Sequence, residues 1–98
     1  RATEIEPHNT IYLDTYAWAL YKAGKYAEAK TVTDSMWVAF EKEGQSDKPD
    51  AGYYDRSGDI YFKAGASKDA AQMWKEALQL TYDHKEQRKL RAKLQKVR

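Results

Sequence analysis

The chain has 98 residues, 33% of them charged, with two Pro, five Gly and no Cys. It carries no apolar run long enough to cross a bilayer, and the absence of Cys excludes disulfides and thiolate-held metals. The net charge of +2 conceals an asymmetry, since residues 84–98 hold seven Lys or Arg against one Glu while residues 1–83 hold ten against fourteen acidic residues.

In chain order, Asn9 is placed to cap a first helix, along which Leu13, Tyr16, Ala17 and Leu20 recur at three- and four-residue spacing and mark one buried face. Gly24 stops that helix, because glycine alone enters the left-handed conformation without steric cost. After the reversal at Lys25, the residues Ala29, Val32, Met36 and Ala39 or Phe40 give a second helix its inner side, and Gly44 ends it. Residues 44–50, with their Ser, Asp and Pro, read as a loop.

Asp50 is placed to cap a third helix with Tyr54, Ser57 or Gly58, and Tyr61 on its inner face, and Gly65 punctuates it as Gly24 does the first. Ser67 is placed to cap a fourth, buried along Ala70, Met73 or Trp74, Ala77 and Leu80. Asp83 followed by Glu86 has the spacing of a capping box and starts a last helix whose only apolar line is Leu90, Leu94 and Val97. So narrow a line covers one neighbour and leaves the remaining surface wet.

The two halves repeat. Tyr21-Lys22-Ala23-Gly24 with Ala29 returns 41 residues later as Phe62-Lys63-Ala64-Gly65 with Ala70, and Asp14 and Ala17 return as Asp55 and Gly58. One helix-turn-helix unit used twice predicts an all-α stack of antiparallel hairpins that presents a surface, which puts binding ahead of catalysis.

Leu13, Tyr16, Ala17, Leu20, Gly24, Tyr26 and Ala29, and then Tyr54, Gly58, Tyr61, Gly65, Ala70, Trp74, Ala77 and Leu80, resemble the signature of the tetratricopeptide repeat over nearly the whole chain. Ala2, Ile5 and Pro7 sit where a preceding repeat would close. The resemblance implies a right-handed α-solenoid: the end of a truncated repeat in residues 1–8, repeats in 9–43 and 51–82 joined by the 44–50 loop, and a basic capping helix in 83–98. The hairpin spacing exceeds the family's period of about 34 residues. Thr33, Glu41 and Tyr82 stand where the family places a bulky apolar residue, Pro and Pro. The segment Tyr12–Leu20 with Gly58-Asp59-Ile60-Tyr61 and Trp74 is similar to the closing repeats of bacterial members, many of them envelope-associated.

In the family the first helix of each hairpin lines a concave groove. The matching residues off the buried face are Asp14, Trp18, Tyr21 and Lys22, then Asp55, Asp59, Phe62 and Lys63, an acidic and aromatic set that suits a partner peptide carrying Lys or Arg beside apolar side chains. The competing reading makes these aromatics ordinary packing and the aspartates solvated. The Lys and Asn clamp by which some members hold a terminal carboxylate is replaced here by Asp14, Trp18, Asp55 and Asp59. In the last helix Lys85, Arg88, Lys89, Arg91, Lys93, Lys96 and Arg98 have no interleaved aromatics, so a solvated cap is favoured over a nucleic-acid or anionic-lipid arm. His8 and His84 fall in no metal-ligand spacing, no nucleophile elbow or phosphate loop is present, and neither an enzyme nor a cofactor is expected. Loss of a covering repeat would expose Ile5, Ile11, Tyr12 and Tyr16 and favour self-association.

Overall fold

A computed structural model of the chain describes residues 10–43 and 51–97, and among these it is entirely helical: α1 (Thr10–Lys22), α2 (Tyr26–Glu43), α3 (Ala51–Lys63), α4 (Ser67–Leu80) and α5 (His84–Lys96). The expected caps at Asn9 and Asp50, the stop at Gly44, the 44–50 loop, the 1–8 segment and the side chain of Ile11 lie outside the described residues. The chain divides into two compact units, Arg1–Lys48 and Pro49–Arg98.

In the first unit α1 packs against α2. The reversal is a Schellman turn: Gly24 adopts φ 83°, its N–H donates to the Tyr21 carbonyl at 3.0 Å, and the Lys25 N–H donates to the Leu20 carbonyl at 2.8 Å. These bonds satisfy carbonyls that the end of α1 would otherwise leave open. The core consists of Leu13 and Ala17 facing Ala29, Thr33, Met36 and Ala39, all buried. Thr33, the residue that departs from the expected apolar type, is 1% exposed because its hydroxyl donates to the Ala29 carbonyl at 2.8 Å, which removes the cost of burying it.

The second unit reverses between α3 and α4 by the same turn. Gly65 adopts φ 91°, its N–H donates to the Phe62 carbonyl at 3.1 Å, and the Ala66 N–H donates to the Tyr61 carbonyl at 2.8 Å. Ser57, Gly58, Ile60 and Tyr61 of α3 meet Ala70, Trp74 and Ala77 of α4, and all are buried. Ser67 is not the cap. Ala66 occupies that position and no side chain caps the helix, because the turn leaves one residue to close α3 and open α4, making Ser67 the first helical residue.

Three further expectations are corrected. Tyr16 is 45% exposed, since α2 covers the Leu13–Ala17 line and Tyr16 stands on its flank. Leu80 is 40% exposed because the inner line of α4 passes from Ala77 to its part-buried C-cap Thr81, whose hydroxyl donates to the Ala77 carbonyl at 2.7 Å. Ile60, absent from the expected α3 face, is 2% exposed.

The α4–α5 elbow is held by local bonds. Asp83 caps α5 by accepting from the Lys85 N–H at 2.9 Å, and Gln87 Nε2 donates back to the Thr81 carbonyl at 2.7 Å. The expected capping box does not form: Asp83 accepts from the N–H of Lys85, not of Glu86, and the Glu86 carboxylate lies 3.6 Å from Lys89 Nζ on the next turn. Leu90 alone of α5 is fully buried.

Candidate functional site

The four α1 residues of the expected surface form a row. Trp18 and Tyr21, three apart and therefore neighbours on a helix face, stack with ring centroids 4.5 Å apart and planes 19° from parallel. Lys22 lies one turn after Trp18 with its ammonium 6.0 Å from the indole centroid, and Tyr26 tilts against Tyr21 at 5.6 Å across the turn. Trp18 and Tyr21 are half-buried and Lys22 is exposed, so the row offers a flat aromatic face edged by one cation. Asp14 is half-buried one turn before Trp18. A second aromatic pair, Tyr12 and Tyr16, stacks at 6.1 Å, with both rings close to half exposed.

The four α3 residues divide differently. Phe62 tilts against buried Trp74 at 5.7 Å, and Lys63 is exposed in the last turn. Asp55 and Asp59, one helical turn apart, do not stand in solvent: both bind Lys93 of α5, at 2.7 and 3.0 Å. The same ammonium sits 5.8 Å from the Trp74 ring centroid, within range of a cation–π attraction. Lys93, expected among the solvated cations of the last helix, is therefore the centre of a cage made by two carboxylates and an indole.

The electrostatics of the cage follow from its stoichiometry. Burial disfavours every charge in it, but one ammonium has two carboxylates, whereas two carboxylates share one ammonium. For Lys93 the loss of water is outweighed by hydrogen bonds and attraction from Asp55 and Asp59, and its pKa rises above the ordinary lysine value. For Asp59, burial pushes the pKa up, with repulsion from Asp55 adding to it, and the bond to Lys93 offsets this only in part. Trp74 Nε1 is buried with no acceptor in good hydrogen-bond geometry, although its N–H lies close enough to Asp59 to favour the carboxylate. Elsewhere on α3, burial raises the Tyr54 pKa and the Glu76 carboxylate adds to it.

Beside the cage a cleft of about 260 Å³ opens between the start of α3 and the α4–α5 elbow. Ala51, Gly52 and Leu90 give it an apolar floor, Asp55 connects it to the cage, and Tyr82, 92% exposed, stands at its mouth. Among the described residues no group of His, Asp or Glu is arranged to hold a metal ion.

Sequence reasoning missed the roles of Lys93 and Trp74. The available signal was positional: Lys93 falls three residues after Leu90 and next to Leu94, on the apolar line of α5, and Asp55 and Asp59 sit at the four-residue spacing that puts both on one helix face. No family model, curated protein or solved structure matches the chain. No helix among the described residues is long and apolar enough to cross a membrane.

Proposed function

We propose that the chain is a tetratricopeptide-like scaffold, two copies of one helical hairpin that belong to an α-solenoid and hold a protein or peptide partner without catalysis. One observation carries the reading. The four hydrogen bonds that build the first reversal, from Ala23, Gly24, Lys25 and Ala29, recur 41 residues later from Ala64, Gly65, Ala66 and Ala70, each matching pair within 0.1 Å. Both units therefore reverse by the same mechanism, with Ala29 and Ala70 each 0% exposed beside it. A repeated hairpin of this kind buries one side against its neighbours and offers the other to a partner as a preformed face.

The face offered is the Trp18–Tyr21–Lys22 row. Aromatic anchors with a single cation fit an apolar segment that carries an acidic side chain. The test is capture of a partner from the source cells by the immobilised chain, compared with a Trp18→Ser/Tyr21→Ser variant. A partner lost by the variant at unchanged melting temperature supports the reading, and equal capture by both contradicts it.

A second reading, an architectural end cap, is favoured by Lys93, which occupies the α3 carboxylates from within the chain. On that reading neither α1 nor α3 variants alter capture.

A further inference from the structure

We propose that Asp55, Asp59 and Trp74 form a lysine-recognition site, filled here by the chain's own Lys93 and able to accept instead a partner helix that carries a lysine three residues after a leucine. The inference rests on the scaffold reading for the existence of a partner, and it gives that partner a chemistry.

The site displays its ligand. An ammonium lies 2.7 Å from Asp55, 3.0 Å from Asp59 and 5.8 Å from the indole centroid, which are the contacts that recognise a lysine head group. The surrounding groups suit a cation. Two anions face one positive charge, and the buried Trp74 Nε1 leaves a donor without a hydrogen-bond partner beside them. A third feature is access, since the cleft at the α4–α5 elbow reaches both Asp55 and Leu90, the two places where α5 is anchored by charge and by burial.

The anchor itself is slight. Of the thirteen residues of α5 only Leu90 is fully buried, and Lys93 carries its ion pairs to α3. A helix that fully buries one leucine and otherwise relies on the Lys93 pairs and the Gln87–Thr81 bond at its elbow is a low-stability element that opens before the hairpin beneath it does. A partner helix with the same Leu-x-x-Lys spacing makes the same two contacts in trans, and any further apolar residue it lays into the cleft shifts the competition its way.

The probe is a synthetic peptide with the sequence of residues 83–97, and the same peptide with its lysine at position 93 replaced by methionine. Each is titrated into the full chain, into a Leu90→Ala/Lys93→Ala variant whose own α5 is released, and into that variant with Asp55→Asn/Asp59→Asn added, following the Trp74 indole N–H resonance. Binding to the released variant at least tenfold tighter than to the unaltered chain, and at least tenfold weaker for the methionine peptide and for the asparagine variant, is the expected result. Equal affinity for both peptides, or for released and unaltered chains, overturns the proposal.

Amide exchange in the unaltered chain keeps the inference testable should the released variant fail to fold. Amides of α5 are expected to exchange at least tenfold faster than those of α4, and equal protection of the two helices overturns it. The scaffold reading depends on Trp18 and Tyr21 of the other unit, so the failure of one is distinguishable from the failure of the other.

Discussion

Gly24 and Gly65 lie 41 residues apart, share a left-handed backbone at φ 83° and 91°, and have no atom beyond their adjoining residues within 4 Å of where a Cβ would stand. Each therefore serves the backbone conformation alone. Gly24→Ala and Gly65→Ala should each destabilise the chain by about 1–2 kcal/mol, and the Asn variants by less, because Asn tolerates this region better. Chemical denaturation measures this, and a cost-free alanine at either position would show that the turn is not built as described.

Much of this was legible in the residues. The turn glycines, the crossing alanines and the helix count follow from spacing, since a left-handed position needs Gly and a close crossing needs Ala. Ser67 misled because a polar residue after a glycine looks like a cap, yet the Schellman bonds had already fixed Ala66 as the hinge. The cage was not legible because no local rule pairs Lys93 with an aspartate 38 residues earlier.

Lys93→Met should lower stability by about 1–2 kcal/mol at neutral pH, since it leaves two half-buried carboxylates without their cation. The raised Lys93 pKa means that its contribution is fully present below the unfolded value of 10.5 and is lost as pH rises through the higher folded value. Asp59 acts at the other end: with its folded pKa above 3.8, its contribution is present below that pH and declines as pH rises through the folded value. Urea midpoints measured against pH should therefore converge for wild type and Lys93→Met in strong alkali.

Asp83→Ala removes the side chain that accepts the Lys85 N–H and should destabilise α5 by about 1 kcal/mol. The readout is faster amide exchange in the first turn of α5, with the α3–α4 hairpin unchanged. Uniform acceleration across the unit would mean that α5 opens only with its support.

Tyr12 and Tyr16 should carry any self-association of the isolated chain. Their counterparts at the 41-residue offset are half-buried Tyr53 and buried Ser57, so one face of α1 stands more open than the equivalent face of α3. Sedimentation should show concentration-dependent mass that Tyr12→Ser/Tyr16→Ser abolishes, and a strictly monomeric wild type would contradict this.

Both hairpins follow one plan with interchangeable crossings, and the 41-residue offset pairs Ala17 and Thr33 with Gly58 and Trp74. The first unit fills the crossing with one small and one mid-sized residue, Ala17 and Thr33, each 1% exposed. The second leaves position 58 without a Cβ, which would fall on the Trp74 indole, and fills the same space from α4. The deciding measurement is a double-mutant cycle on Gly58→Ala and Trp74→Thr. Gly58→Ala should cost about 2–3 kcal/mol by forcing the indole aside, and Trp74→Thr about 3–5 kcal/mol by opening a cavity. Together, rebuilding the Ala–Thr pair of the first unit, they should cost at least about 1 kcal/mol less than their sum. Additivity within about 0.5 kcal/mol would contradict the shared plan.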